Sequence, residues 1–568
     1  MKSRFYFYLT LIIIHYLLFI THCSFTQVEL VDVTNPVYNF LKRMQLMKII
    51  PEYNSSSLPI SRGEVGKYLI KIIESSDKIT STDKKLLLDY EIEFEYDMFG
   101  KTKKQSSVFG KNGLKNILNY NVQKHLYFQT DSNNAFFSDF SGLLSQRGSD
   151  GDSIGNNSIL LGELGIKVRG TFHNTIAYSL FLFTGQFANA GDSDFVFAAN
   201  TDPKLKGNNN FLKKKNFNSF EGYLRYQTKT NWLALTFGRT QLNSGFGYID
   251  KLFLSNNTVP FDFGNLVINY KAVNYSFTYG SLQGDSIGIY PAFSNRELSS
   301  KNIATHNLNI NFSDEFKFGL WESVIISQQP FSFTYLNPIS FLTSADLSIG
   351  AEQTEENNSL LGIEMEIVPV KNFSFQTSFL VDDLTFGTLG KEDSLNENKF
   401  GWQLGALWSN AANINLALEF THLDPFVYSH RSNKSTYTSW LMPLGHALPP
   451  NSDEIAAKIS YDVSYLLNIN LLYQHQRSGE GIVLDSSGNI LANYGGNINF
   501  GLGDAYLRTN GFLDGIRINR DIFTAEILWQ PVRQFYFEGK FQYRVINNLT
   551  DNLKFKDSYY FATFKVDL

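Results

Sequence analysis

The chain has 568 residues and a formal net charge of −5, with 18% charged and 15% aromatic residues, including 50 Phe and 30 Tyr. Roughly 150 residues per domain would give three or four soluble domains, each about 25% charged, although long all-β units escape that prior. The aromatic content excludes a disordered chain, the negative balance excludes a nucleic-acid partner, and a single Cys excludes a disulfide framework or a thiolate zinc site.

The N-terminus has the grammar of an export signal over residues 1–24. Lys2 and Arg4 precede an apolar core from Phe5 to Ile20, which is too short to be a good spanning helix. Cys23 stands where a lipoprotein cysteine would, but His22 before it is a poor fit, so plain cleavage is expected. No later run reaches the 18 apolar residues of a transmembrane helix.

Residues 25–118 read as a small helical module. Phe40, Leu41, Met44 and Met47 form a 3.6-period stripe, and Ser61 with Glu64 has the spacing of a capping box ahead of Val65, Leu69 and Ile72. A third helix from about Thr82 carries Leu86, Leu87 and Tyr90.

From residue 119 to 568 the period changes to two. Ile414, Leu416, Leu418 and Phe420 alternate with Asn413, Asn415, Ala417 and Glu419; His306, Leu308, Ile310 and Phe312 alternate with Asn307, Asn309 and Asn311. Such segments, with one face apolar and the other polar, fit barrel strands of about ten residues better than sandwich strands of about five or six. The connections alternate between short turns such as Lys229-Thr230 and Lys371-Asn372 and long loops such as Gln328–Ser359 and Pro425–Asp453. The expectation is mainly β: a closed antiparallel transmembrane barrel of about 18 strands, running from Val122–Gln129 to Tyr559–Leu568, with the helical module on the periplasmic side. Tyr560, Ala562, Phe564, Val566 and Leu568 share one face of the last strand, as a signal for the barrel assembly machinery would.

Two long loops are nearly uncharged: Phe331–Leu342 and Trp440–His446. Apolar loops must bury themselves, and the nearest dry volume is the lumen, so both are expected to plug it.

The loops also carry a family resemblance. Gly238-Arg239 with Gly245-Phe246-Gly247, then Leu252–Asn257 and Pro260-Phe261-Asp262, resembles the signature stretch of the Wzi-type capsule assembly proteins. Glu322-Ser323 with Tyr335–Pro338, Val381-Asp382-Asp383, Pro443–His446 and Pro450–Asp453 follow in the same order; Ser244 departs from the family's Trp at that point. The resemblance implies a plugged, monomeric, 18-stranded outer-membrane barrel. It also implies a lectin-like role, holding capsular or exopolysaccharide at the cell surface. The motif residues Arg239, Gly245, Gly247, Ser255, Asn256, Glu322, Pro338, Asp382, Asp383, Gly445, His446 and Asn451 are expected to be structural, with Arg239 inside the lumen and paired with a carboxylate such as Glu322.

Sugars are bound by aromatic faces beside Asn, Asp and Arg, and the outer loops supply Tyr335, Asn337, Tyr428, Arg431, Tyr437 and Trp440. Packing of the plug and rim is the competing role for each aromatic. The alternatives are a sugar channel or porin, which demands an open lumen, and an outer-membrane hydrolase of lipid or glycan. For the hydrolase, Gly151–Gly155 and Gly284–Gly288 match G-x-S-x-G, but neither is followed by a helix, which the nucleophile elbow needs. Ser323, His422 and His446 are candidates for a Ser–His pair on the wall, and Asp382-Asp383 would be split to opposite faces by a regular strand. Lys213–Lys215 reads as a solvated loop tip. No catalytic residues, metal or cofactor are expected, and the partners are polysaccharide and membrane lipid.

Overall fold

A computed structural model describes residues 27–568 except 111–112, 189–190, 192–193, 195–196, 198–200, 207–214, 285–299, 328–332, 348–356, 385–397, 431–432, 485–489, 501–506 and 509–510. The signal segment with Cys23, the Asp285–Gly288 motif, Lys213-Lys214 and Arg431 therefore lie outside the described residues.

Eighteen long antiparallel strands close into a barrel. They are β1 (Ala135–Gly151), β2 (Asn157–Phe172), β3 (Ile176–Ala188), β4 (Asn216–Gln227), β5 (Leu233–Thr240) and β6 (Phe261–Tyr270). Next come β7 (Val273–Gln283), β8 (Ser300–Asn311), β9 (Phe316–Ser327), β10 (Asn358–Val370), β11 (Phe373–Asp383) and β12 (Lys399–Ser409). The last six are β13 (Ile414–Leu423), β14 (Ser452–Ser464), β15 (Leu467–Glu480), β16 (Ile516–Val532), β17 (Phe535–Asn548) and β18 (Leu553–Asp567). The seam pairs Ser141–Gly151 with Asp557–Asp567. Alternation sorts the side chains as a membrane barrel requires: Leu224, Phe237, Leu320, Ile363, Leu418 and Phe541 stand exposed on the outer wall, while Asn307, Asn309, Glu364 and Glu366 are buried inside.

The first strand is not where the sequence pattern put it. Gln123–His125 and Tyr127–Thr130 are short strands, and the closing strand is Ala135–Gly151, beyond the expected first strand Val122–Gln129. Its lumen face carries Asp139, Ser145 and Arg147, and its outer face includes Gly142 and Gly148, a composition that mimics a loop. Gly148 is required there, since a Cβ would sit 2.2 Å from the Tyr560 ring across the seam. The connection after β1 is consequently short, which breaks the alternation of long and short connections there, as the four-residue connection between β17 and β18 does again. Gly151–Gly155 is this turn: the Ser153 amide donates to Asp557 Oδ1 (3.0 Å), and strand β2 follows rather than a helix.

The helical module packs into the short-turn mouth. Helices α1 (Val37–Leu46), α2 (Arg62–Glu74), α3 (Ser81–Glu93) and α4 (Glu95–Phe99) share a core of Leu41, Met44, Val65, Leu69, Leu87 and Phe94. Ser61 caps α2 by accepting from the Glu64 amide, but Glu64 does not return the bond; its carboxylate accepts from Asn231 Nδ2 (3.2 Å) in a barrel turn. The reciprocal capping box is at Thr80 and Asp83 instead. Arg43 spans both parts, holding Asp83 (3.0 Å) and the Asn410 carbonyl (2.7 Å) in the turn after β12. Leu46 O accepts from the Asn372 amide (2.7 Å), and Lys48 pairs with Glu315 (2.6 Å), so turn after turn is tied to the module. Beyond α4 the module continues past residue 118, where Gln105–Ser107 pairs with Gln123–His125.

Candidate functional site: the plugged lumen and its outer mouth

Two long loops fold into the lumen. In the first, between β5 and β6, Asn243-Ser244 pairs with Ser57-Leu58 of the module, so the plug meets the module inside the barrel. Gly245 holds φ +119°, a backbone that side chains rarely adopt, and a Cβ at Gly247 would lie 1.8 Å from Asp250 O. The two glycines allow the chain to turn so that its amides face wall carboxylates. Phe246 N donates to Glu364 (2.9 Å), and the amides of Tyr248 and Asp250 donate to Glu419 (2.9 and 3.3 Å). Burial lowers Lys251 from 10.5 to about 8 against the opposing pull of Glu364.

The second plug loop, between β13 and β14, lies on the first. Tyr428 donates its hydroxyl to Leu252 O, Ser255 Oγ donates to Gly445 O (2.8 Å), and Asn257 Nδ2 reaches the same oxygen (2.9 Å). Tyr428 and Tyr437 stack at 5.5 Å, and Trp321 from the wall meets Tyr437 edge-on. Asn451, fully buried with φ +53°, donates to the carbonyls of Gly479, Tyr494 and Asp514 (2.9–3.1 Å) and accepts from Leu513 N. A third inward contact comes from the β3–β4 connection: Lys204 reaches Glu163 (2.7 Å) over the Phe183 ring, beside buried Leu205 and Phe197.

A cavity of about 40 Å³ lies between Ser57-Leu58, Asn243-Ser244 and the wall. The filling is uneven. Across the lumen Glu526 and Lys540 pair at 3.0 Å with side chains 43% and 39% exposed, and Glu538 is also exposed, so this part of the inner wall is hydrated.

The sequence-predicted residues separate into several places. Tyr428 and Tyr437 are fully buried, so they hold the plug and present no ring to a ligand. Trp440 is half-buried at the long-loop mouth, its amide donating to Gln283 O (3.2 Å) at the end of β7. Asn256 is exposed beside Ser255.

Phe333–Leu347 does not enter the lumen. Tyr335 and Leu342 pack with Ala304, Val324 and Ile326, side chains of the outer wall, and Asn337 and Pro338 go with them. The expectation of an inward plug fails here because the wall itself offers polar partners on its outer face. Glu322, expected to face Arg239 across the lumen, points outward and accepts from the amides of Leu342 (2.9 Å) and Thr343 (2.7 Å).

Arg239 is also outward, in phase with exposed Phe237, and pairs with Asp262 (2.9 Å) on the neighbouring strand. A bulge at Val381/Asp383 breaks the face rule for Asp382-Asp383, so both carboxylates approach Lys399 Nζ, at 3.6 and 2.6 Å. Ser323 faces the lumen and His422 the outer wall, where it pairs with Asp424 (3.0 Å). His446 Nδ1 accepts from Leu448 N (3.0 Å) within the plug and lies 3.8 Å from Asp250. Sequence reasoning missed Glu364 and Glu419, although acids at lumen positions of strands with apolar outer faces were a signal.

The capsule assembly protein Wzi family matches residues 118–505, more than half of the chain. The chain belongs to the Wzi capsule assembly family. Its fold is similar to that of Wzi from Escherichia coli, a carbohydrate-binding outer-membrane β-barrel involved in group 1 capsule assembly. The TM-score is 0.55 and the identity 12%, covering 94% of this chain and 99% of that one. OprD of Pseudomonas aeruginosa (TM-score 0.42, 10% identity, 76% of this chain and 95% of that one) is more distant. So is OccAB2 of Acinetobacter baumannii (0.45, 10%, 76% and 98%). No curated protein sequence matches the chain. The Wzi family member described here is an outer-membrane β-barrel.

Proposed function

We propose that this Wzi family protein binds capsular or exopolysaccharide at its long-loop mouth and holds it on the cell surface without catalysis. In this reading it is a monomer inserted by the barrel assembly machinery, with the long loops outside and the helical module in the periplasm. The observation that carries the reading is the inward-folded plug, tied to wall carboxylates above and to the module below. It suits retention at the mouth better than passage of a polymer. The carbohydrate binding of the E. coli relative supports the same assignment.

Trp440 and Asn256 are the candidates to meet sugar, because they remain accessible on the plug. Truncating a true stacking anchor costs about 2 kcal/mol or more, so Trp440→Ala should release cell-attached polysaccharide into the medium while heat-modifiable migration of the barrel stays unchanged. Deleting the gene without any change in retained polysaccharide would refute the proposal. A sugar channel is the second reading, favoured by the hydrated wall at Glu526, Glu538 and Lys540. Steady conductance of the intact protein in planar bilayers would select it.

A further inference from the structure

The segment Phe333–Ala345 is folded inside out for a loop in water. It carries no charged side chain, and it leaves Phe333 (82% exposed), Ile339 (91%) and Phe341 (53%) open at the surface. Its polar groups turn inward or bond to one another. Asn337 Oδ1 accepts from Ile339 N (3.1 Å), and Asn337 O accepts from Ser340 N (3.3 Å) and Ser340 Oγ (3.0 Å). Pro338 has no amide hydrogen, and its carbonyl accepts from the Tyr275 hydroxyl, which lies 2.5 Å from His306 Nδ1. Glu322 takes the amides of Leu342 and Thr343 together with the Thr343 hydroxyl (2.9 Å), and Ala345 N donates to Phe341 O (2.9 Å). Asn337 and Ser344 are the exposed polar side chains of the segment.

The position matches the pattern. Strand β9 ends at Ser327 at the long-loop end, yet Pro338 meets Tyr275, the third residue of β7 above the short turn at Lys271-Ala272. The segment therefore descends across the outer wall toward the level of the exposed Leu320 and Ile363, which pair two residues from Glu322 in the register of β9 and β10. Hydrocarbon admits non-helical backbone only where its polar groups are satisfied within the protein, and wall residues Tyr275 and Glu322 supply partners for Pro338 O, the Leu342 and Thr343 amides and the Thr343 hydroxyl.

We propose that Phe333–Ala345 is a membrane-embedded strap, with Phe333, Ile339 and Phe341 set among lipid acyl chains and Glu322, His306 and Tyr275 sealed beneath it. The proposal is independent of polysaccharide binding, and either can fail alone. The test places Ile339→Cys in a Cys23→Ser full-length chain, attaches an environment-sensitive nitrobenzoxadiazole dye, and refolds the protein into phosphatidylcholine vesicles. Leu320→Cys serves as the lipid reference and Lys229→Cys as the water reference, with folding of each judged by heat-modifiable migration. Acyl-chain bromines should quench the dye at 339 as strongly as at 320 and several-fold more than at 229, with iodide showing the reverse. Iodide quenching at 339 equal to that at 229 overturns the strap. Shielding from both quenchers overturns it as well, because the segment would then be covered by protein.

Discussion

Phe333–Ala345 and Trp440–Leu448 are both apolar, uncharged long-loop segments, and they end on opposite sides of one barrel wall. The lumen segment meets the other plug loop, where Tyr428, Leu444 and Leu448 find Leu252 and Phe253, and its polar atoms go to Ser255 and Asn257. The wall segment instead finds a carboxylate and a phenol that face outward on β9 and β7. Composition determines that such a loop must hide. The partner with unsatisfied hydrogen-bonding capacity determines where.

Two fully buried tyrosines give the sharpest way to break that comparison. Tyr428→Ala and Tyr335→Ala each remove a large packed side chain, a change of about 3–5 kcal/mol for aromatic truncations in a core. The first should open conductance in planar bilayers and lower the temperature at which the barrel unfolds on gels. The second should leave conductance closed and loosen only the outer segment. Equal conductance from both would erase the distinction between the two loops.

Asn451→Ala tests how the lumen side is held. It strips three carbonyls and one amide of their partner, and each orphaned buried group costs about 1–3 kcal/mol. Limited proteolysis should then cut near Tyr494 and Asp514 with the barrel intact, and unchanged protection there would show the asparagine to be dispensable.

Glu322→Ala is the corresponding change on the outer wall. It leaves the amides of Leu342 and Thr343 without their acceptor, at about 1–3 kcal/mol for the larger loss. Protease in detergent should reach residues 333–347 while the lumen loops stay protected.

The smallest expected effect is on pH. Burial lowers Lys251 in the plug to about 8 from 10.5, so between these values the unfolded chain binds more protons than the folded one. Stability of the plug should therefore rise with pH across that window and level off above it. Lys251→Met should flatten the slope in a pH series of thermal unfolding; an unchanged slope would assign it to other groups.

Barrel class and strand number were legible because alternation is a local property of the chain, repeated in strand after strand. Ile414–Phe420 was assigned to one face correctly by counting in twos, and Leu418 is indeed exposed on the outer wall. The seam strand Ala135–Gly151 was not legible, since its glycines and lumen polars imitate a loop and only the Tyr560 ring across the seam explains Gly148. The pairing of Asp382 and Asp383 with Lys399 was hidden by a bulge, a single-residue slip that periodicity cannot foresee. Arg239 shows the same limit from the other direction: its partner Asp262 is set by strand register. The fate of Phe333–Ala345 depended on which way Glu322 points, one residue from the lumen-facing Trp321.

The Ser57-Leu58 contact with Asn243-Ser244 has a consequence for biogenesis. The module touches Arg169 near the start of the barrel, Glu366 midway and Arg533 close to its end, so its seat is complete only when distant parts of the chain have met. A segment that precedes the strands in the chain therefore completes its contacts only once the last strands are in place. The pairing of Asp557–Asp567 with Ser141–Gly151 closes the wall on which those contacts lie, so the seat of the helices and the seam of the barrel depend on the same ends of the chain.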